Sequence, residues 1–232
     1  MQVQVCLTPE LIHQFDLKGK VAVVVDIFRA TSCMVTGLCN MVTAIYPVAT
    51  VDACLALGRK GMLMAGERGG IKIPEFDLGN SPFDYLEDQV NGREVAVSTT
   101  NGTLALSKSQ EADEVLIGAF LNLATTVTYL EELGKPVVIH CAGWKGTVNL
   151  EDTLFAGALI ARLNQPELMD DAGFLAHALF RQNEGDLLGA ASKSAHAKRL
   201  AGFGIKKDIA FCLQDSIYER VIRQQGERLL VV

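Results

Sequence analysis

The sequence lacks several features that would place it in a membrane, in a secretory pathway or on nucleic acid. No apolar run approaches the roughly 18 residues that a membrane-spanning helix needs. The N-terminal segment has no basic stretch followed by an apolar core, so we expect no signal peptide. The formal net charge is −6, and lysines and arginines form no cluster. Nucleic acid and anionic membrane surfaces are therefore poor candidate partners.

Two metal-binding signatures are also missing. The six cysteines include no C-x-x-C pair, which argues against a structural zinc site, and the four histidines share no ligand spacing. Most cysteines sit in apolar stretches, where a free cysteine behaves as a small hydrophobic residue. This usage suits a reducing compartment, and we expect a cytoplasmic protein.

Core-forming residues, in contrast, are abundant. Hydrophobic residues make up 49% of the chain and charged residues 21%, which is typical of a globular protein with a large core. The sequence shows no internal repeat, no low-complexity stretch and no convincing linker. The prediction is one domain over residues 1–232.

Short apolar runs rich in β-branched residues alternate with helical patterns along the chain. Most runs are continuous, as expected for strands that are buried on both faces. Apolar residues recur at helical spacing between Met34 and Val42 and between Leu150 and Leu163. The pattern predicts a three-layer α/β/α fold with a mostly parallel sheet. The predicted strands are Val21–Val25, Ala44–Val48, Met62–Met64, Val95–Val97, Val115–Ile117, Val137–Ile139, Ile209–Cys212 and Leu229–Val232.

Residues 164–204 differ from the rest of the chain. They are rich in alanine, leucine and charged residues and have little strand character. We interpret them as a helical excursion that forms a lid or a homo-oligomer interface. The alternative interpretation is a plain layer of covering helices.

Polar clusters follow several predicted strands, at the strand ends where open α/β sheets bind ligands. Asp26 directly follows Val21–Val25 and precedes Arg29. A carboxylate there can hold a divalent metal or attack phosphorus, and an arginine can grip phosphate oxygens bidentately. Thr31 or Ser32 can cap the next helix, whose first amides favour an anion. The alternative is that Asp26 and Arg29 simply pair with each other.

Two further clusters combine glycines with polar side chains. In the first, Glu67 and Arg68 lie between glycines, which let a backbone approach a ligand closely. In the second, hydroxyls and an amide suit phosphate oxygens or metal-bound water. The alternatives are a solvated turn for the first cluster and an Asn-Gly turn with a threonine cap for the second. The second cluster comprises Thr99, Thr100, Asn101, Gly102 and Thr103.

The fourth cluster begins at Cys141, which opens a glycine-containing loop. Cysteine phosphatases carry an arginine six residues after their nucleophile, and here that position is Thr147, which favours a buried structural cysteine. A thiolate nucleophile stays as the alternative, since a helix beginning near Leu150 can lower the thiol pKa. Glu151 and Asp152 begin that helix, where acidic residues suit the helix dipole or complete a Mg²⁺ site.

Taken together, these segments resemble the 2-phosphosulfolactate phosphatase family. The likeness runs in order and at similar spacing from about residue 20 to the end, and several motifs together are specific where each alone is not. Residues 164–198 are less distinctive. The matching motifs are VVDIFRATS, AGERGG, FDLGNSP, STTNGT, CAG, EDT-x-x-AG and DIAFC.

The resemblance implies a Mg²⁺-dependent hydrolase that removes phosphate from 2-phospho-3-sulfolactate, a step towards coenzyme M in organisms that make it. This substrate carries a charge of about −3 to −4 at neutral pH, so an acidic chain must gather positive charge in its cleft. Some of Asp26, Glu67, Glu151 and Asp152 would hold the metal. The residues that would bind the anionic groups are Arg29, Thr31, Ser32, Arg68, Thr99, Thr100, Asn101, Gly102, Thr103 and Lys145.

The nucleophile and the substrate stay open at this point. Asp26, Arg29 and Cys141 are the candidate catalytic residues, and the nucleophile is a metal-bound water, Asp26 or Cys141, with Asp26 favoured over Cys141 because a carboxylate suits Mg²⁺ better than a thiolate does. One alternative is a phosphatase for another small phosphorylated 2-hydroxy acid. The other is a non-catalytic binder of anionic metabolites, which the carboxylates disfavour.

Overall fold

The computed structural model describes residues 1–201 and 206–232. Its strands form one sheet that takes elements from both ends of the chain. The strands are β1 (Gln2–Cys6), β2 (Val21–Val25), β3 (Ala44–Pro47), β4 (Leu63–Arg68), β5 (Ile71–Lys72), β6 (Glu94–Ser98), β7 (Glu114–Gly118), β8 (Val137–Cys141), β9 (Glu167–Leu168), β10 (Ile222–Gln225) and β11 (Arg228–Val231).

Helices connect most of the strands. Within the described ranges, none is long and apolar enough to cross a membrane. The α-helices are α1 (Ala30–Cys39), α2 (Val51–Gly58), α3 (Gly102–Lys108), α4 (Leu123–Leu133), α5 (Leu150–Arg162), α6 (Asp171–Asn183), α7 (Leu187–Ser192), α8 (Ala195–Ala201) and α9 (Lys206–Cys212). Short 3-10 segments lie at Ile12–Gln14, Pro82–Leu86, Asp88–Val90 and Phe120–Asn122.

Two groups of parallel strands make up most of the sheet. The first group is β4, β6 and β3, and the second is β7, β2, β8, β1 and β9. The antiparallel hairpin of β10 and β11 joins them, because β11 pairs with β3 and β10 with β7. β5 adds an antiparallel edge next to β4. The predicted α/β fold with a mostly parallel sheet is confirmed.

The hairpin reverses the strand direction between the two groups, yet the residues that follow β2, β4 and β6 line one cleft. Six strand-to-strand steps separate β4 from β2 in the sheet. Neighbouring strands rotate by about 20° per step, so the accumulated twist is large enough to turn the two groups toward each other. The cleft therefore lies between the groups rather than along a straight sheet edge.

The centre of the sheet is covered on both faces. Every residue of β2 and of β8 is buried, and the two strands pair in parallel from Val21 and Val137 to Val25 and Cys141. Successive strand residues point to opposite faces, so continuous burial requires packing on each side. Helix α1 packs against β7, α3 against β2 and α5 against β8.

One strand prediction is wrong. The run Ile209–Cys212 is the end of α9, whereas the other seven predicted strands overlap strands of the sheet. Ile209 and Cys212 are buried while Ala210 is exposed, which is the three-residue spacing of a helix packed on one side. A four-residue apolar run is too short for its periodicity to separate a strand from a buried helix.

The helical interpretation of residues 164–204 is confirmed over its described part, which contains α6, α7 and α8. The two-residue strand β9 precedes these helices, and residues 202–204 lie outside the described part of the chain. The sequence patterns do not predict β1, β5, β9 or β10. β5 and β9 have only two residues each, which is too short for an alternating pattern to register.

Candidate functional site

A polar cleft opens where β2, β4 and β6 end. One wall comes from the residues that follow these strands, and the other comes from the loop after β8 and from α8. Its lining is rich in charged and hydrogen-bonding groups. The lining residues are Asp26, Phe28, Arg29, Glu67, Gly70, Asn80, Thr100, Asn101, Trp144, His196, Arg199 and Leu200.

Asp26 lies between β2 and α1 and faces the cleft. Its Oδ1 accepts a hydrogen bond of 3.3 Å from the Ala30 amide, at the start of α1. The residue is only 7% exposed. Burial raises the pKa of Asp26 to about 6, with smaller contributions in the same direction from the carboxylates of Glu67 and Glu151, while His196 opposes the rise. The site thus holds a carboxylate whose charge needs a cationic partner.

Thr31 and Ser32 hold the turn behind Asp26 rather than lining the cleft. The Thr31 hydroxyl donates to the Asp26 carbonyl and accepts from the Asp26 amide, both at 3.0 Å. The Ser32 hydroxyl donates to the Ile27 carbonyl at 2.9 Å. Both side chains are fully buried, so their contacts fix the position of Asp26.

Arg29 pairs with a residue that the sequence patterns do not connect to it. Its Nη1 forms a buried ion pair with Asp208 of α9 rather than with Asp26. Arg29 still lines the cleft, and its Nε has no hydrogen-bond partner among the described residues. The guanidinium is therefore oriented by Asp208, while its buried Nε donor stays without a partner.

Glu67 joins two loops at the ends of β4 and β6. Its Oε2 accepts from the Gly70 amide at 2.7 Å, and its Oε1 accepts from the amide and the hydroxyl of Thr100, both at 2.8 Å. Arg68 makes a parallel link, because its guanidinium donates to the carbonyl and the hydroxyl of Ser98 at 3.0 and 2.8 Å. Together these bonds fix the relative position of the two loops.

The loop that leads into α3 divides into lining residues and supporting residues. Thr100 and Asn101 line the cleft. Thr99 and Thr103 bond to each other, with the Thr103 hydroxyl donating to the Thr99 carbonyl at 2.9 Å. A methyl group on Gly102 would lie 2.7 Å from the Ala30 Cβ and 3.0 Å from Asp26 Oδ2. Only glycine lets α3 approach Asp26 this closely.

Glu151 and Asp152 lie in the first turn of α5 and are fully buried. Asp152 accepts hydrogen bonds from the Ile27 amide at 2.9 Å and from the Gly143 amide at 3.1 Å, so both of its oxygens are engaged. Burial raises the pKa of Asp152 well above its usual range, and the carboxylates of Glu151 and Asp26 add to the rise. The acidic first turn of α5 thus lies against the Asp26 loop.

His196 of α8 reaches the acidic cluster from the opposite wall. Its Nδ1 lies 2.5 Å from Glu151 Oε1 and 3.3 Å from the Asn149 side-chain nitrogen. The second oxygen, Glu151 Oε2, is buried and has no hydrogen-bond partner among the described residues. An unpartnered buried carboxylate oxygen is costly unless a further ligand satisfies it.

The donor chemistry of this region fits a hard divalent cation. Asp26 and Glu67 line the cleft, Glu151 has a free oxygen, and carboxylates are preferred ligands of Mg²⁺. These oxygens are not gathered into a ready-made coordination shell: no group of three His, Cys, Asp or Glu residues within 1–201 and 206–232 is arranged to hold a metal ion. Asp152 does not line the cleft and has both oxygens bound to backbone amides, which suits a positioning role.

Cys141 ends β8 and is completely buried, outside the residues that line the cleft. Burial raises the pKa of the Cys141 thiol well above its usual range, and the Asp152 carboxylate adds to the rise. A helix N-terminus normally lowers the pKa of a nearby thiol. Here burial and the carboxylates of Glu151 and Asp152 in the first turn of α5 raise it instead. The thiol is held in its neutral form.

The loop after β8 contributes an aromatic ring to the cleft. Trp144 lies under the guanidinium of Arg199, whose central carbon is 3.7 Å from the ring centroid. Lys145 also approaches this ring, with its Nζ at 4.8 Å from the centroid, but Lys145 does not line the cleft. Its backbone amide lies 3.4 Å from Asn101 Oδ1, which links the two walls.

Comparison with known proteins decides the family. The sequence profile of the 2-phosphosulpholactate phosphatase family matches residues 6–227. A probable 2-phosphosulfolactate phosphatase of Thermotoga petrophila is 37% identical over 202 residues, which cover 87% of this chain and 88% of the relative. The chain belongs to the 2-phosphosulfolactate phosphatase family. Probable 2-phosphosulfolactate phosphatases of Clostridium acetobutylicum and Gloeobacter violaceus are each 36% identical, covering 99% and 100% of this chain and 100% and 98% of the relatives.

The sequence patterns do not predict several residues that line the cleft of this family member or contact its lining residues. His196 and Arg199 come from the helical excursion, where no motif marks them, and Trp144 lies in a loop whose sequence predicts no role for an aromatic ring. Two others lie inside motifs that carry the resemblance, namely Asn80 in FDLGNSP and Asp208 in DIAFC. The signal that points to Asn80 and Asp208 is their polar character within those motifs.

Proposed function

We propose that this chain is a Mg²⁺-dependent phosphatase that hydrolyses 2-phospho-3-sulfolactate to 3-sulfolactate and phosphate. The observation that carries the proposal is the cleft, whose lining brings the carboxylates of Asp26 and Glu67 together with the guanidinium groups of Arg29 and Arg199. The buried carboxylate of Glu151 contacts the lining residue His196. The names of the relatives support the substrate. In organisms that make coenzyme M, the same reaction would be a step towards it.

The reaction exchanges one phosphorus–oxygen bond for another. The oxygen of water becomes bonded to phosphorus, the bond from phosphorus to the C2 oxygen of the substrate breaks, and a proton passes to that leaving oxygen. Charge spreads over the phosphate oxygens as this happens, so positioning and charge stabilisation provide most of the catalysis. Arg29, oriented by Asp208, would bind phosphate oxygens with its free donor, and Thr100 and Asn101 would add neutral donors.

The metal ligands we propose are Asp26, Glu67 and Glu151. Asp26 and Glu67 line the cleft, and Glu151 Oε2 has no hydrogen-bond partner among the described residues. Asp152 would position the loop through Ile27 and Gly143. When bound, Mg²⁺ supplies neutralisation of the buried negative charge and polarisation of a phosphate oxygen.

Asp26 is the residue we assign to the chemistry, as nucleophile or as the group that orients the attacking water. It lines the cleft and lies at the amide end of α1, where an anion is also stabilised. Cys141 is disfavoured as the nucleophile because burial keeps its thiol neutral and it does not line the cleft.

A second function is a phosphatase for another small phosphorylated 2-hydroxy acid. It is favoured by the origin of one wall, since His196 and Arg199 come from α8, near the part of the chain in which the family motifs are least distinctive. The phosphate and the metal would be handled in the same way, and only the rest of the substrate would differ.

Phosphate release after metal removal tests the proposal. The protein is treated with excess EDTA, dialysed and assayed with 2-phospho-3-sulfolactate and with a panel of 2-phospho acids, with and without added Mg²⁺. We expect no release without metal, recovery with Mg²⁺, and the highest kcat/KM on 2-phospho-3-sulfolactate. Full activity in excess EDTA contradicts the metal dependence, and a higher kcat/KM on another phospho acid favours the second function.

A further inference from the structure

The contact between Arg199 and Trp144 joins the two segments that form one wall of the cleft. Arg199 lies on α8, Trp144 lies in the loop after β8, and both line the cleft. The guanidinium carbon is 3.7 Å from the ring centroid, close enough for a cation–π contact. This contact fixes a flexible cationic side chain against a half-buried ring.

Arg199 differs from Arg29 in whether its positive charge is paired with a carboxylate. Arg29 is neutralised by its buried ion pair with Asp208. Among residues 1–201 and 206–232, no carboxylate lies within ion-pair distance of Arg199. A guanidinium that lies on an aromatic ring keeps its in-plane N–H donors free for a planar anion. Among the described lining residues, Arg199 is therefore a cation whose charge no direct carboxylate partner balances.

We propose that Arg199, held on Trp144, binds the second anionic group of the substrate, the carboxylate or sulfonate carried on the same carbon skeleton as the phosphate. The inference rests on the proposed function, because it assigns a subsite within the same cleft. The phosphate goes to the strand-end wall with Arg29, Thr100 and Asn101, and the second anion goes to the α8 wall. Arg199 then determines which phosphate esters are accepted.

Binding measurements test this subsite without requiring turnover. The parent protein, Arg199→Gln, Arg199→Lys and the control Lys198→Gln are titrated in Mg²⁺-containing buffer with 3-sulfolactate and, separately, with inorganic phosphate. Calorimetry gives each Kd. Lys198 is exposed, belongs to the same helix and does not line the cleft, so Lys198→Gln matches the loss of one positive charge. The emission of Trp144, the single tryptophan of the sequence, reports whether 3-sulfolactate reaches this wall.

We expect Arg199→Gln to weaken 3-sulfolactate binding by at least about tenfold more than it weakens phosphate binding, because it removes a charge-assisted contact. Arg199→Lys keeps the charge without the planar fork and should fall between the parent and Arg199→Gln. Lys198→Gln should bind both ligands as the parent does. In the parent, 3-sulfolactate should change the Trp144 emission.

Three results overturn the inference. They are an equal loss for both ligands in Arg199→Gln, no loss for 3-sulfolactate, or no binding of 3-sulfolactate by the folded parent. Circular dichroism and thermal unfolding establish that the variants are folded. A parent that binds 3-sulfolactate at this wall but releases no phosphate from 2-phospho-3-sulfolactate contradicts the proposed function alone, so the two failures are separable.

The same variants show which anion Arg199 contacts. Turnover is compared on 2-phospho-3-sulfolactate and on 2-phospholactate, which has the carboxylate but not the sulfonate. A loss in Arg199→Gln on both substrates assigns Arg199 to the carboxylate, and a loss on 2-phospho-3-sulfolactate alone assigns it to the sulfonate. A loss on neither substrate counts against the subsite.

Discussion

The two walls of the cleft hold their functional groups in different ways. At the strand ends, Asp26 and Glu67 are anchored by backbone amides of Ala30, Gly70 and Thr100. On the α8 wall, His196 and Arg199 are held by side chains, through Glu151 and Trp144. Backbone anchors tie a carboxylate to the fold itself, whereas a side-chain contact is lost with a single substitution. We propose on this basis that the common chemistry lies at the strand ends and that α8 determines the choice of substrate.

Replacing Asp26 gives the largest expected effect. Asp26→Asn keeps the shape but removes the charge that a metal or a nucleophilic step needs. We expect kcat/KM to fall about a thousandfold or more, roughly 4 kcal/mol of transition-state stabilisation. Phosphate release under single-turnover conditions measures it.

Cys141→Ser is the matched comparison on the neighbouring strand. It should keep a substantial part of the activity, because the thiol is buried and neutral. A folded but inactive Cys141→Ser, together with inactivation of the parent by thiol alkylation that substrate prevents, replaces Asp26 with a thiolate mechanism.

His140, near the end of β8, is expected to affect the pH dependence of stability rather than substrate binding. Burial lowers its pKa from 6.5 to about 4, and its Nδ1 lies 2.8 Å from the Ser109 hydroxyl. Between these two pH values the unfolded chain binds more protons than the folded chain does. The contribution of neutral His140 to the free energy of unfolding is therefore fully present above pH 6.5 and is lost as the pH falls toward 4. The loss attributable to His140 is about 2 to 3 kcal/mol at pH 4.5.

Urea unfolding of the parent and of His140→Asn at pH 7.5 and 4.5 measures this loss. The difference in unfolding free energy between the two proteins should shrink by that amount at the lower pH. The exposed His13, changed to glutamine, serves as the control. A difference between the parent and His140→Asn that does not change with pH contradicts the assignment.

Gly102→Ala tests how tightly α3 is packed against Asp26. Alanine normally favours a helix over glycine by about 1 kcal/mol, but here the added methyl would meet the Ala30 Cβ at 2.7 Å and Asp26 Oδ2 at 3.0 Å. We expect a net loss of about 2 kcal/mol of stability from overpacking, and a fall in activity as Asp26 moves. Gly185→Ala, where an added methyl meets nothing within 4 Å, is the control. Equal thermal stabilities of the two variants count against the close approach.

Arg29→Lys gives a smaller expected loss of activity than Asp26→Asn. Lysine keeps the positive charge but loses the planar fork that contacts Asp208 and, in the proposed site, would bind the phosphate. We expect kcat/KM to fall at least about tenfold, roughly 1.4 kcal/mol. Kinetics equal to those of the parent remove Arg29 from the phosphate site.

The strand-end wall could largely be predicted from the sequence, because Asp26 directly follows β2 and Glu67 lies near the end of β4. Asp26 follows an unbroken valine-rich strand, and Glu151 opens a helix with a clear apolar period. The place of such a residue relative to its strand or helix in the sequence then predicts its place in the fold. The wrong strand at Ile209–Cys212 shows the limit of this reasoning, since a short apolar run carries no period of its own.

The α8 wall could not be predicted in this way. His196 and Arg199 reach the cleft through long-range contacts with Glu151 and Trp144, which are 45 and 55 residues earlier in the chain. Local spacing on a short helix does not reveal such partners. The pairing of Arg29 with Asp208, 179 residues later, was missed for the same reason.

The specificity ratio tests the division between the two walls most directly. It is kcat/KM for 2-phospho-3-sulfolactate divided by kcat/KM for phenyl phosphate, which has no second anionic group, measured in the parent, Arg29→Lys and Arg199→Gln. The account predicts that Arg29→Lys lowers both values and changes the ratio by less than about twofold, while Arg199→Gln lowers the ratio at least about tenfold. Equal changes of the ratio in the two variants, or a larger change in Arg29→Lys, would contradict it.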